Sequence, residues 1–192
     1  MAKLTSSLKN MVLSLSFISI GMSAALGYVY VSTKGPIEKA NSQKVTDAIS
    51  LVVPKFDNNP GTEKYMVEDL EFYPAKMGGN LIGTAIKTYT NKGFSGRFTI
   101  MVGLLPDGTI NGFSVLEQKE TPGLGSKMTE PKFKDQFNGK NPSQYKLIVK
   151  KDGGEVDAIT ASTITSRAVC DALQRAYDAY QKGGKKWVHL KH

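Results

Sequence analysis

Hydrophobic and polar positions follow three different patterns along this chain. From Asn10 to Thr33 no side chain is charged, and Met11 to Val31 is largely apolar. Wound as a helix at ~1.5 Å per residue, that run reaches about the ~30 Å hydrocarbon thickness of a bilayer. The pattern predicts a transmembrane helix over 11–33. Gly21, Gly27 and the small residues Ser23, Ala24 and Ala25 suit a membrane helix, and Tyr28 and Tyr30 suit its interface. Lys3 and Lys9 followed by Ser23-Ala24-Ala25 also fit a cleavable signal peptide, but the apolar run continues past that site. Lys3 and Lys9 favour a cytoplasmic amino terminus over 1–10, a bias that Lys34, Lys39 and Lys44 weaken.

The second pattern is helical and weaker. Pro36 can open a helix, and Ile37, Ala40, Lys44, Ala48, Ile49 and Val52 give a broken apolar face before Pro54, so 34–55 is expected to be a juxtamembrane stalk. The third is alternation. Leu70–Met77 and Leu81–Thr90 read as strands, and Arg97–Leu105 and Thr109–Gln118 flank Pro106-Asp107-Gly108 as an antiparallel hairpin. Beyond it, Glu130–Lys140 predicts a short helix with Phe133 and Phe137 on one face, and Tyr145–Lys151 predicts a further strand. After a turn at Asp152-Gly153-Gly154 and an extended entry, a last helix carries Val169, Leu173, Ala176, Tyr177 and Tyr180 on one stripe. The expected class is α+β, one domain over 56–182 with a mainly antiparallel sheet and flanking helices, then a basic tail over 183–192.

Charge and composition narrow the chemistry. The net charge of +8 is spread along the chain with no nucleic-acid motif, which points to anionic lipid or an acidic partner surface and not to nucleic acid. His189 and His192 both lie in the last four residues, so a histidine-based triad or multi-histidine metal site is not expected. There is no P-loop and no dinucleotide GxGxxG turn. Cys170 is the single cysteine and reads as a packed thiol. The tail, with Lys182, Lys185, Lys186, Lys191 and Trp187, reads as solvated, with membrane-surface contact as the alternative.

Two segments stand out. At the entrance of the last helix, Thr160, Ser162, Thr163, Thr165 and Ser166 place five hydroxyls beside unpaired N–H groups and a positive dipole end. A phosphate is stabilised there, bound or covalently attached; ordinary N-capping by Ser or Thr is the alternative. Far upstream, Val115–Met128 contains Glu120-Thr121-Pro122-Gly123-Leu124-Gly125, in which Pro122-Gly123 is a turn dipeptide. On its own this is also compatible with a plain loop after a strand.

Both segments resemble motifs of the FMN-binding domain family. Thr160-Ala161-Ser162-Thr163-Ile164-Thr165-Ser166 is similar to its flavinylation motif, Ser/Thr-Gly-Ala-Ser/Thr followed by x-Thr-Ser, and Glu120–Gly125 is similar to its Glu-Thr-Pro-Gly-Leu-Gly signature. In that family the last hydroxyl of the four-residue core carries FMN through a phosphoester bond, and the matching position is Thr163. Two departures stand beside it. Ala161 replaces the usual Gly, which costs free energy if the position needs positive φ, and Ser162 replaces the usual Ala, adding a second hydroxyl that can serve as N-cap. The resemblance implies a cofactor site of Thr163 with Thr160, Ser162, Thr165 and Ser166, joined by Glu120 and Thr121 at ring edges and Leu124 on a ring face. The backbone N–H groups of Gly123 and Gly125 would stay open to a planar ligand.

Within the family, coverage from anchor to last helix is most similar to the G subunits of Rnf complexes, the ion-pumping ferredoxin:NAD+ oxidoreductases of bacterial membranes. The C subunits of sodium-pumping NADH:quinone oxidoreductases share the domain and motif but are usually longer, and are the alternative. The Rnf resemblance implies a covalent FMN that receives and passes electrons while other integral-membrane and peripheral subunits handle ferredoxin and NAD and electron flow is coupled to Na+ or H+ transport. It also implies maturation by a separate flavin transferase drawing FMN from FAD, and a flavin domain on the outer face of the inner membrane. A membrane-anchored binding or scaffold module without a redox group is the reading from another class.

Overall fold

The computed structural model describes residues 7–184; Lys3, and in the tail Trp187, His189 and His192, lie outside the described residues. The chain divides into two units, one reaching to Gln43 and the other beginning at Lys44. Helix α1 is Leu8–Val52, and its residues up to Gln43, in the first unit, present exposed apolar side chains all round. Leu15, Phe17 and Ile18 are 67%, 78% and 65% exposed, so the helix needs an apolar environment from outside the chain. It is long and apolar enough to cross a membrane. Pro36 was expected to open a second helix and instead lies inside α1. Proline forfeits one backbone donor there, but its φ is helical and the following Ile37, Glu38, Lys39 and Ala40 continue the helix.

The second unit is built on a five-stranded antiparallel meander in the order β1 (Tyr65–Val67), β2 (Leu70–Met77), β3 (Asn80–Gly93), β4 (Gly96–Leu104) and β5 (Ile110–Glu117). Side chains alternate across it with the period of two that a pleated strand imposes. Phe72, Ile86, Phe98, Ile100, Val102 and Phe113 point into the main core, where helix α3 (Thr163–Ala179) lays Val169, Ala172, Leu173 and Ala176. The two alanines let α3 approach the sheet closely, and Thr88 Oγ1 donates to the Ala172 carbonyl at 3.2 Å while Thr90 Oγ1 donates to Asp171 at 2.8 Å. On the opposite face Tyr73, Ala75, Ala85 and Met101 meet Ala48, Ile49 and Val52, the last turns of α1. The latter part of the expected stalk is thus built into the domain.

The expected hairpin β4–β5 is present, and the Glu130–Lys140 region forms helix α2 (Pro131–Lys134) and a following 3-10 turn (Asp135–Phe137). Phe137 is edge-on to both Phe133 and Phe113. The strand expected over Tyr145–Lys151 does not form. Leu147 and Val149 are buried alternately, as in a strand, but the chain folds back on itself: Val149 bridges Val156 alone, and the Val156 N–H donates to the Ile148 carbonyl at 3.0 Å. Burial periodicity was satisfied by a compact loop sealing the core, with no sheet partner. Strand β1 was missed because three residues carry too little alternation to register.

Candidate functional site

Three segments far apart in sequence converge at one end of the sheet. The β3–β4 turn supplies Phe94, the loop after β5 supplies Glu120, Thr121, Leu124 and Gly125, and the entrance of α3 supplies Ala161, Ser162, Thr163 and Ile164. Together they line a cleft of about 330 Å³, at the small end of the ~300–1,000 Å³ range of small-molecule sites. Its apolar lining is open to solvent: Phe94, Leu124 and Ile164 are 66%, 41% and 47% exposed. Three large hydrophobic side chains left in water around one cleft are what a flat apolar ligand would cover.

Glu120 organises the cleft. Its side chain is 5% exposed, Oε1 accepts the Ser95 N–H at 3.1 Å, and Oε2 accepts the Thr165 hydroxyl at 2.8 Å. One carboxylate therefore ties the β3–β4 turn and α3 to its own loop. A buried charge is costly unless hydrogen-bonded, and here both oxygens are engaged. Gly125 makes room for it, since a Cβ there would meet Glu120 and the Thr165 hydroxyl. The Gly123 N–H, expected to be open to a ligand, instead donates to Ser126 Oγ at 2.9 Å and closes its own turn.

The five hydroxyls at α3 divide into two kinds. Ser166 is fully buried, accepting the Ile159 N–H at 2.9 Å and donating to the Ser162 carbonyl at 3.0 Å, so it braces the turn. Thr165 is buried against Glu120, and Ser162, 8% exposed, donates its hydroxyl to Thr165 Oγ1 at 2.9 Å. Ser162 is the N-cap residue by position, but its side chain makes no capping bond, which leaves the first-turn N–H groups to another acceptor. Thr163, the first helical residue, is half-buried, lines the cleft, and has no side-chain hydrogen bond among the described residues. Thr160 is exposed and lines a different cavity with Lys127, Phe133 and Asp157.

Ala161 has φ +61°. The position does require the left-handed region, so the alanine found where the motif has glycine is held in a conformation that costs roughly 1–2 kcal/mol. Cys170 is packed in the core, as expected, and burial pushes its thiol up to about 12. Phe94, Ala161 and Ile164 were not among the expected site residues. An aromatic flanked by Gly93 and Gly96 in a tight turn has no core to enter, and that was the readable signal for Phe94.

The FMN-binding domain family model matches residues 93–178, which run from the β3–β4 turn through the cleft to the end of α3. The G subunit of the Na(+)-translocating ferredoxin:NAD(+) oxidoreductase complex of Acetobacterium woodii is 34% identical over 190 residues, covering 90% of this chain and 91% of that one. The G subunit of the ion-translocating oxidoreductase complex of Aliivibrio fischeri ES114 is 32% identical, covering 91% and 90%, and its counterpart in Methanosarcina acetivorans is 31% identical, covering 87% and 91%. Among solved structures, NqrC of Shewanella oneidensis superposes with a TM-score of 0.51 at 22% identity, covering 74% of this chain and 71% of that one, a likeness of fold. The relatives match about nine-tenths of the chain, and on that coverage this chain belongs to the family of G subunits of ion-translocating oxidoreductase complexes, with its cleft inside an FMN-binding domain.

Proposed function

We propose that this chain is the electron-transfer flavoprotein subunit of a ferredoxin:NAD+ oxidoreductase (Rnf) complex and carries FMN on Thr163 through a phosphoester bond. The observation that carries the reading is the division among the hydroxyls. Thr163 alone of the five both lines the cleft and keeps its hydroxyl free, and it sits at a helix entrance whose N–H groups can hold a phosphate. The apolar side chains of Phe94, Leu124 and Ile164 suit the faces of a planar ring, and Thr121 suits its edge. FMN supplies the redox chemistry that the side chains lack, and the chain holds and orients it.

Attachment is a phosphoryl transfer by a separate flavin transferase. The Thr163 oxygen forms a bond to the FMN phosphorus of FAD, the bond to the bridging oxygen breaks, AMP leaves, and the hydroxyl proton passes to base. The apolar run over 11–33 anchors the protein in a bacterial inner membrane, with 1–10 cytoplasmic, 34–55 leading out and ending against the sheet, the FMN domain over 56–182 on the extracytoplasmic side, and the basic tail over 183–192 solvated. Its partners are the other integral-membrane and peripheral subunits of the complex. The relatives of matching length are G subunits, which supports this reading over a quinone reductase C subunit.

The test is in-gel flavin fluorescence after denaturing electrophoresis of the full chain from a flavinylating host, beside Thr163→Ala. Fluorescence in the first and none in the second is expected. A fluorescent Thr163→Ala band overturns the attachment site, and a dark native band overturns the covalent carrier and favours an anchored module without a redox group.

A further inference from the structure

We propose that a hydrogen-bonded chain running from Ser162 through Thr165 to Glu120 decides which of two adjacent hydroxyls receives the flavin phosphate. The proposal rests on covalent attachment as read above. Ser162 and Thr163 both line the cleft, and Ser162, as a primary alcohol, is the less hindered nucleophile. The usual family motif has alanine at this position, so the competition belongs to this chain.

The direction of each hydrogen bond follows from the donor inventory. A carboxylate only accepts, so Thr165 must donate its single proton to Glu120 Oε2 at 2.8 Å. Thr165 can then only accept from Ser162, and Ser162 spends its own proton inward at 2.9 Å. The proton that a base must remove during phosphoryl transfer is thus turned away from the cleft, and Ser162 is 8% exposed. Thr163 has no such tie and can turn both its oxygen and its proton outward. Glu120 is itself fixed by the Ser95 N–H and seated in the space that Gly125 leaves. Glu120 and Thr165 act on the reaction through Ser162 and are positioning residues.

The experiment co-expresses the full chain with its flavin transferase and locates FMN by peptide mass spectrometry in the native protein, Thr165→Val, Thr165→Ser and Glu120→Gln. Native protein should carry FMN on Thr163. In Thr165→Val the ratio of Ser162 to Thr163 attachment should rise roughly three- to ten-fold, the weight of one hydrogen bond. Thr165→Ser keeps the hydroxyl and should restore attachment to Thr163, which separates the hydrogen bond from packing. Glu120→Gln gives the same rise as Thr165→Val: with the Ser95 N–H on its one acceptor oxygen, the amide NH2 faces Thr165, whose proton turns to Ser162. It decides the matter if Thr165→Val does not accumulate. FMN on Thr163 alone in the folded variants, or an equal rise in Thr165→Ser, overturns the proposal while leaving the carrier reading intact. Native protein without covalent FMN overturns the carrier reading instead.

Discussion

A methyl group placed on Gly125 would stand 2.5 Å from Oε2 of Glu120 and 2.8 Å from its Cβ. The second glycine of the signature loop is therefore required by a neighbouring carboxylate, which in turn holds Ser95 and Thr165. Gly125→Ala should displace Glu120 from its two donors. The expected cost is about 1–3 kcal/mol from overpacking and the strained carboxylate, read as a lower urea midpoint by circular dichroism. With FMN on Thr163 as proposed, covalent flavin should fall in parallel, because the walls of the cleft lose their common tie. A variant as stable and as fully flavinylated as the native chain would show that the loop can accommodate the methyl elsewhere.

Ala161 offers the opposite case. Its φ of +61° lies where a Cβ is strained, and the residue is exposed, so nothing is lost on removing the methyl group. Ala161→Gly relieves ~1–2 kcal/mol of strain and gives back roughly 0.5–1 kcal/mol in chain entropy. A net gain of about 0.5–1 kcal/mol is expected, a rise in unfolding temperature of a few degrees by differential scanning calorimetry. An unchanged or lower midpoint would mean that the turn relaxes around alanine.

Strands β2 to β5 were legible in the sequence because each carries enough alternation to fix both its period and its buried face. The loop around Val149 was misread because Leu147 and Val149 alternate as in a strand; periodicity records burial and not the presence of a pairing partner. At the site, the two motifs named most of the lining in advance. What they did not contain was the bonding of each hydroxyl: Ser162, Thr165 and Ser166 have the same chemistry as Thr163 on paper, and only their neighbours Glu120 and Ile159 separate the tied hydroxyls from the free one. Phe94 escaped because its role depends on a turn brought against α3 from a distant hairpin.

Gly103 on β4 receives the end of α1. A Cβ there would overlap the Val52 carbonyl oxygen, and Asn111 Nδ2 donates to that same oxygen at 2.8 Å. Strand and helix end are in backbone contact, with no side chain able to yield. Gly103→Ala should therefore cost about 3 kcal/mol or more, at the upper end of overpacking. Asn111→Ala removes one hydrogen bond and should cost about 1 kcal/mol. Urea midpoints of the full chain in detergent test the order. Equal effects would indicate that the last turn of α1 is displaced at little cost and that Val52 is held chiefly by Asn111.

Alkaline pH should weaken the domain through buried groups that release protons more readily when unfolded. Burial pushes the Cys170 thiol from 9.0 up to about 12, and burial, with the nearby Asp107 charge, pushes the Tyr180 hydroxyl from 10.0 up to about 12. Below pH ~9 both groups are protonated folded and unfolded, and their contribution is fully present. Between ~9 and ~12 the unfolded chain loses these protons first, so stability falls by up to ~1.4 kcal/mol per pH unit for each group once the unfolded form is titrated. Urea midpoints should decline above pH ~9.5, and Cys170→Ala should decline less steeply by about one proton. The same burial leaves native Cys170 unreactive to iodoacetamide at pH ~8, with alkylation only after unfolding. Rapid native alkylation, or an identical pH slope in Cys170→Ala, would place the thiol in contact with solvent and remove it from the core that α3 builds.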